Sequence, residues 1–212
     1  MNSADMEFES ANPSVIRSIK QRVLLNAWIR AVQKPNPLPV LADFKPDGLA
    51  DELADMMAFD VEGSGENARF FITQEGWRLA AAYGNDHTRP AERINRYLDV
   101  SVDPIVYARV LPCYMACITC KRPTYSIAAV KDEDGKEVSF ERLLLPFGSG
   151  DVVERIVGSY KAISIEGGFK VENLMGLRAD TKPIRLLNAV VDQELARRPP
   201  GVRASDDIVE ID

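Results

Sequence analysis

The residue types with the most chemistry in them are three cysteines within eight positions. Cys113, Cys117 and Cys120 spell C-x3-C-x2-C, a spacing at which three thiolates can hold an iron–sulfur cluster and leave one iron open to substrate. The surroundings point elsewhere. Cluster cysteines of that spacing sit in a loop after a barrel strand, whereas these fall on a helical pattern between Asp103 and Pro123. On a helix, positions i, i+4 and i+7 share one face, so the plain reading is three small thiols packed against a neighbouring element. A bound metal would need His87 or a nearby acid as its fourth ligand, and a redox-sensing thiol is the other chemical option. His87 is the only histidine; Asn85-Asp86-His87-Thr88-Arg89-Pro90 reads as an exposed loop, a poor place for a haem ligand. A single histidine gives little support to a Ser-His-Asp arrangement or a histidine general base. Gly148-Ser149-Gly150-Asp151 and Glu166-Gly167-Gly168 read as turns, since neither joins a strand to a helix as a phosphate cradle does. Ala196-Arg197-Arg198 with Arg203 is a modest basic cluster at a solvated helix end. No catalytic or metal-binding set is assigned, and no cofactor is required.

Composition narrows the class. The 212 residues are 46% hydrophobic and 27% charged, ordinary for one well-buried domain with extensions. A net charge of −6 argues against bulk attraction to nucleic acid or anionic membrane. No run approaches the roughly 18 to 20 apolar residues that span a bilayer. The acidic start, Met1 to Glu9, lacks the basic-then-apolar plan of a signal peptide. Clustered cysteines without a disulfide-like spacing suit a reducing compartment. The expectation is cytoplasmic.

The elements that must position any site are clearest from Thr124 to Ile163. Thr124–Val130 and Glu137–Pro146 flank Asp134-Gly135, and such a dipeptide between strand-like runs reads as a β-hairpin. Ile156–Ile163 adds a third strand to an antiparallel meander. Upstream, Asn12-Pro13 marks a helix start, and apolar residues from Val15 to Ala31 continue it to Lys34, about 20 residues and roughly 30 Å. Pro35, Pro37 and Pro39 end it. Gly48–Met56 is a short helix, Met57–Val61 and Ala68–Thr73 are a hairpin around Gly63-Ser64-Gly65, and Gly76–Gly84 is a short helix. Ala91–Leu98 reads as helical. Asp103-Pro104 starts a longer helix that Pro112 should bend. Val171–Leu177 adds a helical turn, and Ile184–Arg197, with Leu186, Leu187, Val190, Val191 and Leu195, reads as a last helix. The division is a disordered start at 1–11, a helix and linker at 12–42, a sheet domain at 43–165, a helical extension at 166–197 and a disordered tail at 198–212.

Two strands, short helices, a longer helix and a three-stranded meander give the order of a PAS domain. Arg69-Phe70-Phe71-Ile72-Thr73-Gln74-Glu75-Gly76-Trp77-Arg78-Leu79 through Tyr83-Gly84 resembles the strand, glycine and short helix of a bacterial stand-alone PAS-like family. Phe140-Glu141-Arg142-Leu143-Leu144-Leu145-Pro146-Phe147 resembles its penultimate strand, and the helix with Trp28, the Leu38-Pro39 step and Asp43-Phe44-Lys45-Pro46 resemble its leading segment. The likeness covers about residues 12 to 165; the longer, more charged stretch between Gly84 and Asp103 departs from it. It implies an α+β fold, a five-stranded antiparallel sheet covered by helices, with an N-terminal helix and a C-terminal helical extension. It implies a non-enzymatic sensor or regulator that binds a small ligand or a signalling protein and works by repacking and dimerisation.

On that footing Phe71, Tyr83, Tyr107, Tyr114, Met115, Ile118 and Tyr125 are the cavity candidates, with plain core as the alternative. Ile16, Ile19, Val23 and Trp28 are the candidates for a homodimer interface. A scaffold or localisation adaptor whose cavity is filled by its own side chains is the competing reading. A cysteine-cluster metalloprotein or redox sensor stands behind both.

Overall fold

The structure is a computed structural model that describes residues 7–33, 35–83, 90–175 and 183–192. Its strands are β1 (Glu9–Ala11), β2 (Met56–Glu62), β3 (Arg69–Glu75), β4 (Thr124–Lys131), β5 (Glu137–Phe147), β6 (Arg155–Ile163) and β7 (Ile184–Val191). Its α-helices are α1 (Ile19–Ala31), α2 (Leu49–Glu52), α3 (Trp77–Tyr83), α4 (Pro90–Arg93), α5 (Leu98–Ser101) and α6 (Pro104–Cys120). The strands make one sheet in the order β1-β7-β4-β5-β6-β2-β3. Every pairing is antiparallel except that of β1 with β7.

The central hairpin forms where Asp134-Gly135 placed it, and Asp132 holds its turn. The Asp132 carboxylate accepts from the Asp134 and Lys136 amides at 2.9 Å each and from the Lys170 amide at 3.1 Å. Gly135 supplies the positive φ, +81°, that an L side chain rarely adopts. Val130 then faces Val138 and Thr124 faces Leu144 across the ladder.

Both faces of the sheet are covered, because alternation along β5 sends apolar residues both ways. Phe140 and Leu144 join Phe59, Phe70, Ile72, Tyr114, Cys117 and Ile156 under α6. Leu143, Leu145 and Phe147 join Leu24, Leu25, Trp28, Tyr125, Ile127 and Val157 under α1. A sheet buried on both sides reads as long apolar runs rather than strict alternation. β5 is such a run.

Several expectations are corrected here. The sheet has seven strands, not five, and is mixed. Ile184–Val191, expected within the helix of the 166–197 extension, is strand β7; the expected turn of helix at Val171–Leu177 is a non-helical turn over its described part. Leu187 and Val191 join the core beneath α1 while β7 hydrogen-bonds along β4. Without it, β4, buried over most of its length, would present unpaired backbone groups at a sheet edge. The start at 1–11 is not wholly without structure, since Glu9–Ala11 pairs with Ala189–Val191. The leading helix is divided: Asn12 caps a single 3-10 turn, Pro13–Val15, and Ser18 caps α1 through the Gln21 amide at 3.3 Å. α1 has 13 residues. Residues 198–212, Leu195 and His87 lie outside the described residues.

Trp28 is where α1 docks. It is 1% exposed, and its indole N–H donates to the Pro146 carbonyl at 2.6 Å. Ile16 is likewise buried within the same chain. Both are therefore withdrawn from the dimer surface expected of them. Trp28→Ala should cost about 3–5 kcal/mol by denaturant unfolding, whatever the protein concentration. A loss that vanishes on dilution would return Trp28 to an intersubunit contact.

Candidate functional site

The site is best approached through the charges that the fold buries. Arg93 is enclosed against Glu75 at 3.0 Å and also donates to the Ala80 carbonyl. Burial pushes the Glu75 carboxyl up, against the pull of Arg93. Glu52 meets Lys20 and Lys161, each at 2.6 Å, and Asp55 meets Arg78 at 2.6 Å and Lys161 at 2.7 Å. Burial works against the Glu52 charge, but hydrogen bonds from Lys161 and Lys20 outweigh it and hold its carboxyl below the usual range. Glu141 accepts from the Tyr125 hydroxyl at 2.7 Å. Arg93, Glu52 and Asp55 each meet an opposite charge, and Glu141 has the Tyr125 hydroxyl.

Arg142 has no carboxylate partner among the described residues. It lies on β5 between Phe140 and Leu144, facing α6, and is 6% exposed. Its neighbour Glu141 points through the sheet to the opposite face, so sequence adjacency gives it no partner. One guanidinium N–H reaches the Cys113 sulfur at 3.4 Å, a weak acceptor, and the guanidinium lies 5.7 Å from the centroid of the Tyr160 ring. Its Nε has no partner among the described residues.

Around Arg142 the helix and sheet meet through a small polar centre. Tyr114 of α6 and Tyr160 of β6 share a hydroxyl hydrogen bond of 2.7 Å. Phe59 and Phe70 pack edge-on or tilted on Tyr114, with centroids 5.1 and 5.0 Å away. Gly158 makes the geometry possible: a Cβ there would lie 2.7 Å from the Tyr160 hydroxyl, so the ring lies over the glycine. Burial pushes both phenols up, and they remain neutral hydrogen-bonding groups at physiological pH. The Cys117 thiol is pushed up likewise by burial.

A recess of about 300 Å³ opens beside this centre, between the first half of α6 and strands β4, β5 and β7. Arg142, Arg109 of α6 and Arg185 of β7 all line it, with Ser126 and Cys113 on its wall and Val106, Val110 and Met175 as its apolar side. Arg185 donates to the Arg109 carbonyl at 3.2 Å, which ties the last strand to the helix. The β4–β7 register shifts at Ile127/Ala128, directly in the recess wall.

The seven aromatic and apolar candidates do not gather in one cavity, and none lines this recess. Tyr114 is fully buried at the centre of the core; Tyr83, Tyr107, Met115 and Ile118 are half-buried and pack against the same cluster. Phe71 lies at the outer strand, stacked edge-on against Tyr97 at 5.3 Å. Tyr125 belongs to the other face: it sits beneath α1 and accepts from the Arg17 amide at 3.2 Å. Of the dimer candidates, Ile19 is 74% exposed and Val23 half-buried. Cys113 and Cys117 are buried and Cys120 is exposed; no group of three metal-ligating side chains converges among the described residues. No helix among them is long and apolar enough to cross a membrane.

Sequence reasoning missed Arg142, Arg109 and Arg185. The signal for Arg142 was present, a charge two residues from Phe140 and two from Leu144, on the side of the strand that those two apolar residues share. The other two converge on it only once β7 is a strand. No protein-family model matches the chain, and no curated protein matches it.

The buried ion pairs make a pH-dependent prediction. A carboxylate held below its unfolded value adds stability above that value and loses it as pH falls through the folded one. Glu52→Gln should therefore destabilise the protein by about 1–3 kcal/mol at pH 7. The gap to wild type should narrow below about pH 4, as read by urea unfolding at both pH values. A gap of equal size at pH 3 would contradict the assignment.

Proposed function

We propose that the chain is a non-enzymatic sensory or regulatory protein of PAS type, which binds a small ligand or protein partner between sheet and helices and signals by repacking. The observation that carries this is the run β3-β2-β6-β5-β4, five neighbouring strands, antiparallel throughout, with α6 laid across one face over a polar centre. The chain order of those elements and the motifs around Phe70 and Phe140 support the same reading. β1, β7 and α1 are additions to it, and α1 covers the reverse face. Three free cysteines suit a reducing, cytoplasmic setting.

A second reading is supported by Tyr114. Its ring fills the middle of the core between Phe59, Phe70 and Tyr160, as expected of an adaptor whose cavity is closed by its own side chains. Native mass spectrometry of freshly purified protein separates the two. A copurified small molecule, lost on denaturation, supports the sensor; a bare polypeptide mass together with a captured protein partner supports the adaptor.

Signalling of this kind includes self-association, and the exposed edge of α1 is the surface assigned to it. Ile19→Glu should leave the fold intact, because the side chain is in solvent, and should shift the species seen by analytical ultracentrifugation from dimer to monomer. A dimer that survives the substitution removes α1 from the interface.

A further inference from the structure

We propose that the recess between α6 and strands β4, β5 and β7 binds a small oxyanion, a short carboxylate or a phosphate, held by Arg142 with Arg109 and Arg185. The inference rests on the ligand-sensing reading and gives that reading its ligand class.

Charge is the first argument. An ion taken out of water costs several kcal/mol even after relaxation, unless it is paired, and the buried Arg93, Glu52 and Asp55 each have an oppositely charged partner. Among the described residues no carboxylate forms an ion pair with Arg109, Arg142 or Arg185. Three arginines line one recess, and like charges repel, so a bound anion offsets that repulsion. An arginine stays protonated under any physiological condition, so Arg142 cannot escape by neutralising.

Geometry is the second. A guanidinium presents its N–H groups in a planar fork that matches carboxylate and phosphate oxygens. Arg142 has spent one N–H on a sulfur and keeps its Nε free. Ser126, on the wall, adds a hydroxyl donor. The volume of about 300 Å³ is at the small end of ligand pockets, and the Val106–Val110–Met175 side accepts a few methylene groups. Arg185 is exposed and Arg142 buried, so an anion enters past one arginine to reach the other.

The site also has a mechanical consequence. Cys113 and Tyr114 are neighbours on α6, and Arg142 holds the first while the second is bonded to Tyr160. An anion that draws the Arg142 fork away from Cys113 removes a tie between helix and sheet where the polar centre joins them.

The test uses the full chain at constant ionic strength, with succinate and inorganic phosphate as probes and succinamide and sodium chloride as controls. Thermal unfolding and titration calorimetry are the readouts. One or both oxyanions should raise the melting temperature in a saturable way while the controls do not, and the responding probe identifies which oxyanion is preferred. Arg109→Ala/Arg185→Ala, changed near the mouth, should keep the fold and weaken binding at least tenfold. Arg142→Met should abolish the response and leave the unliganded melting temperature equal or higher, because an unpaired buried charge has gone. Absence of any oxyanion response beyond the chloride control would overturn the proposal. So would a response that the double variant leaves unchanged. A neutral copurified molecule with no oxyanion binding would sink this inference but leave the sensor reading standing; a bare polypeptide with no oxyanion response would sink this inference and leave only the protein-binding form of the proposed function.

Discussion

An arginine enclosed between a sheet and a helix, with no carboxylate partner among the described residues, is the constraint from which the functional account of this protein follows. Other buried charges among the described residues are matched: Arg93 with Glu75, Glu52 with Lys161, Asp55 with Arg78, and Asp132 with three backbone amides, while Glu141 is held by a neutral hydroxyl. Arg142 lies where α6, the sheet and an open recess meet. Glu141 shows how closely the alternative was avoided. It is the next residue along the strand, but the pleat turns it to the opposite face, where it serves Tyr125.

The fold tolerates this because the two faces of the sheet do different work. Beneath α1 the packing is apolar and anchored, with Trp28 hydrogen-bonded to the β5 backbone and Tyr125 bonded to both Glu141 and the segment before the helix. Beneath α6 the packing is apolar around a polar centre, where Tyr114 and Tyr160 meet over Gly158. In the proposed function the anchored α1 side serves as the back and the α6 side as the face that repacks. Cores resist continuous deformation, so a movable helix needs a contact that can be exchanged, and the Arg142–Cys113 contact is one.

Much of the architecture was legible in the sequence. Asp134-Gly135 between two strand-like runs gave the central hairpin, and the Met57–Val61 and Ala68–Thr73 patterns gave the outer one. What failed had local causes. Leu186, Leu187, Val190 and Val191 fit a helical stripe as well as a strand, and only the need of β4 for a neighbour decides between them. Val15, Ile16 and Ile19 continue one apolar pattern through a break that Ser18 caps, so α1 read as longer than it is. The face on which Tyr125 lies depends on register, which a hydrophobicity pattern leaves open when both faces are buried. The recess was the least visible feature, since its arginines come from a helix, a central strand and a strand misread as helix.

The account is tested most directly by the nitrogen and proton resonances of the Arg142 Nε–H group during titration with succinate and with phosphate against sodium chloride. It predicts a saturable downfield shift and slowed solvent exchange at Arg142, with linked changes at Cys113 and Tyr114 and none at Trp28 beneath the other face. An Arg142 resonance that responds to neither oxyanion more than to chloride would contradict it.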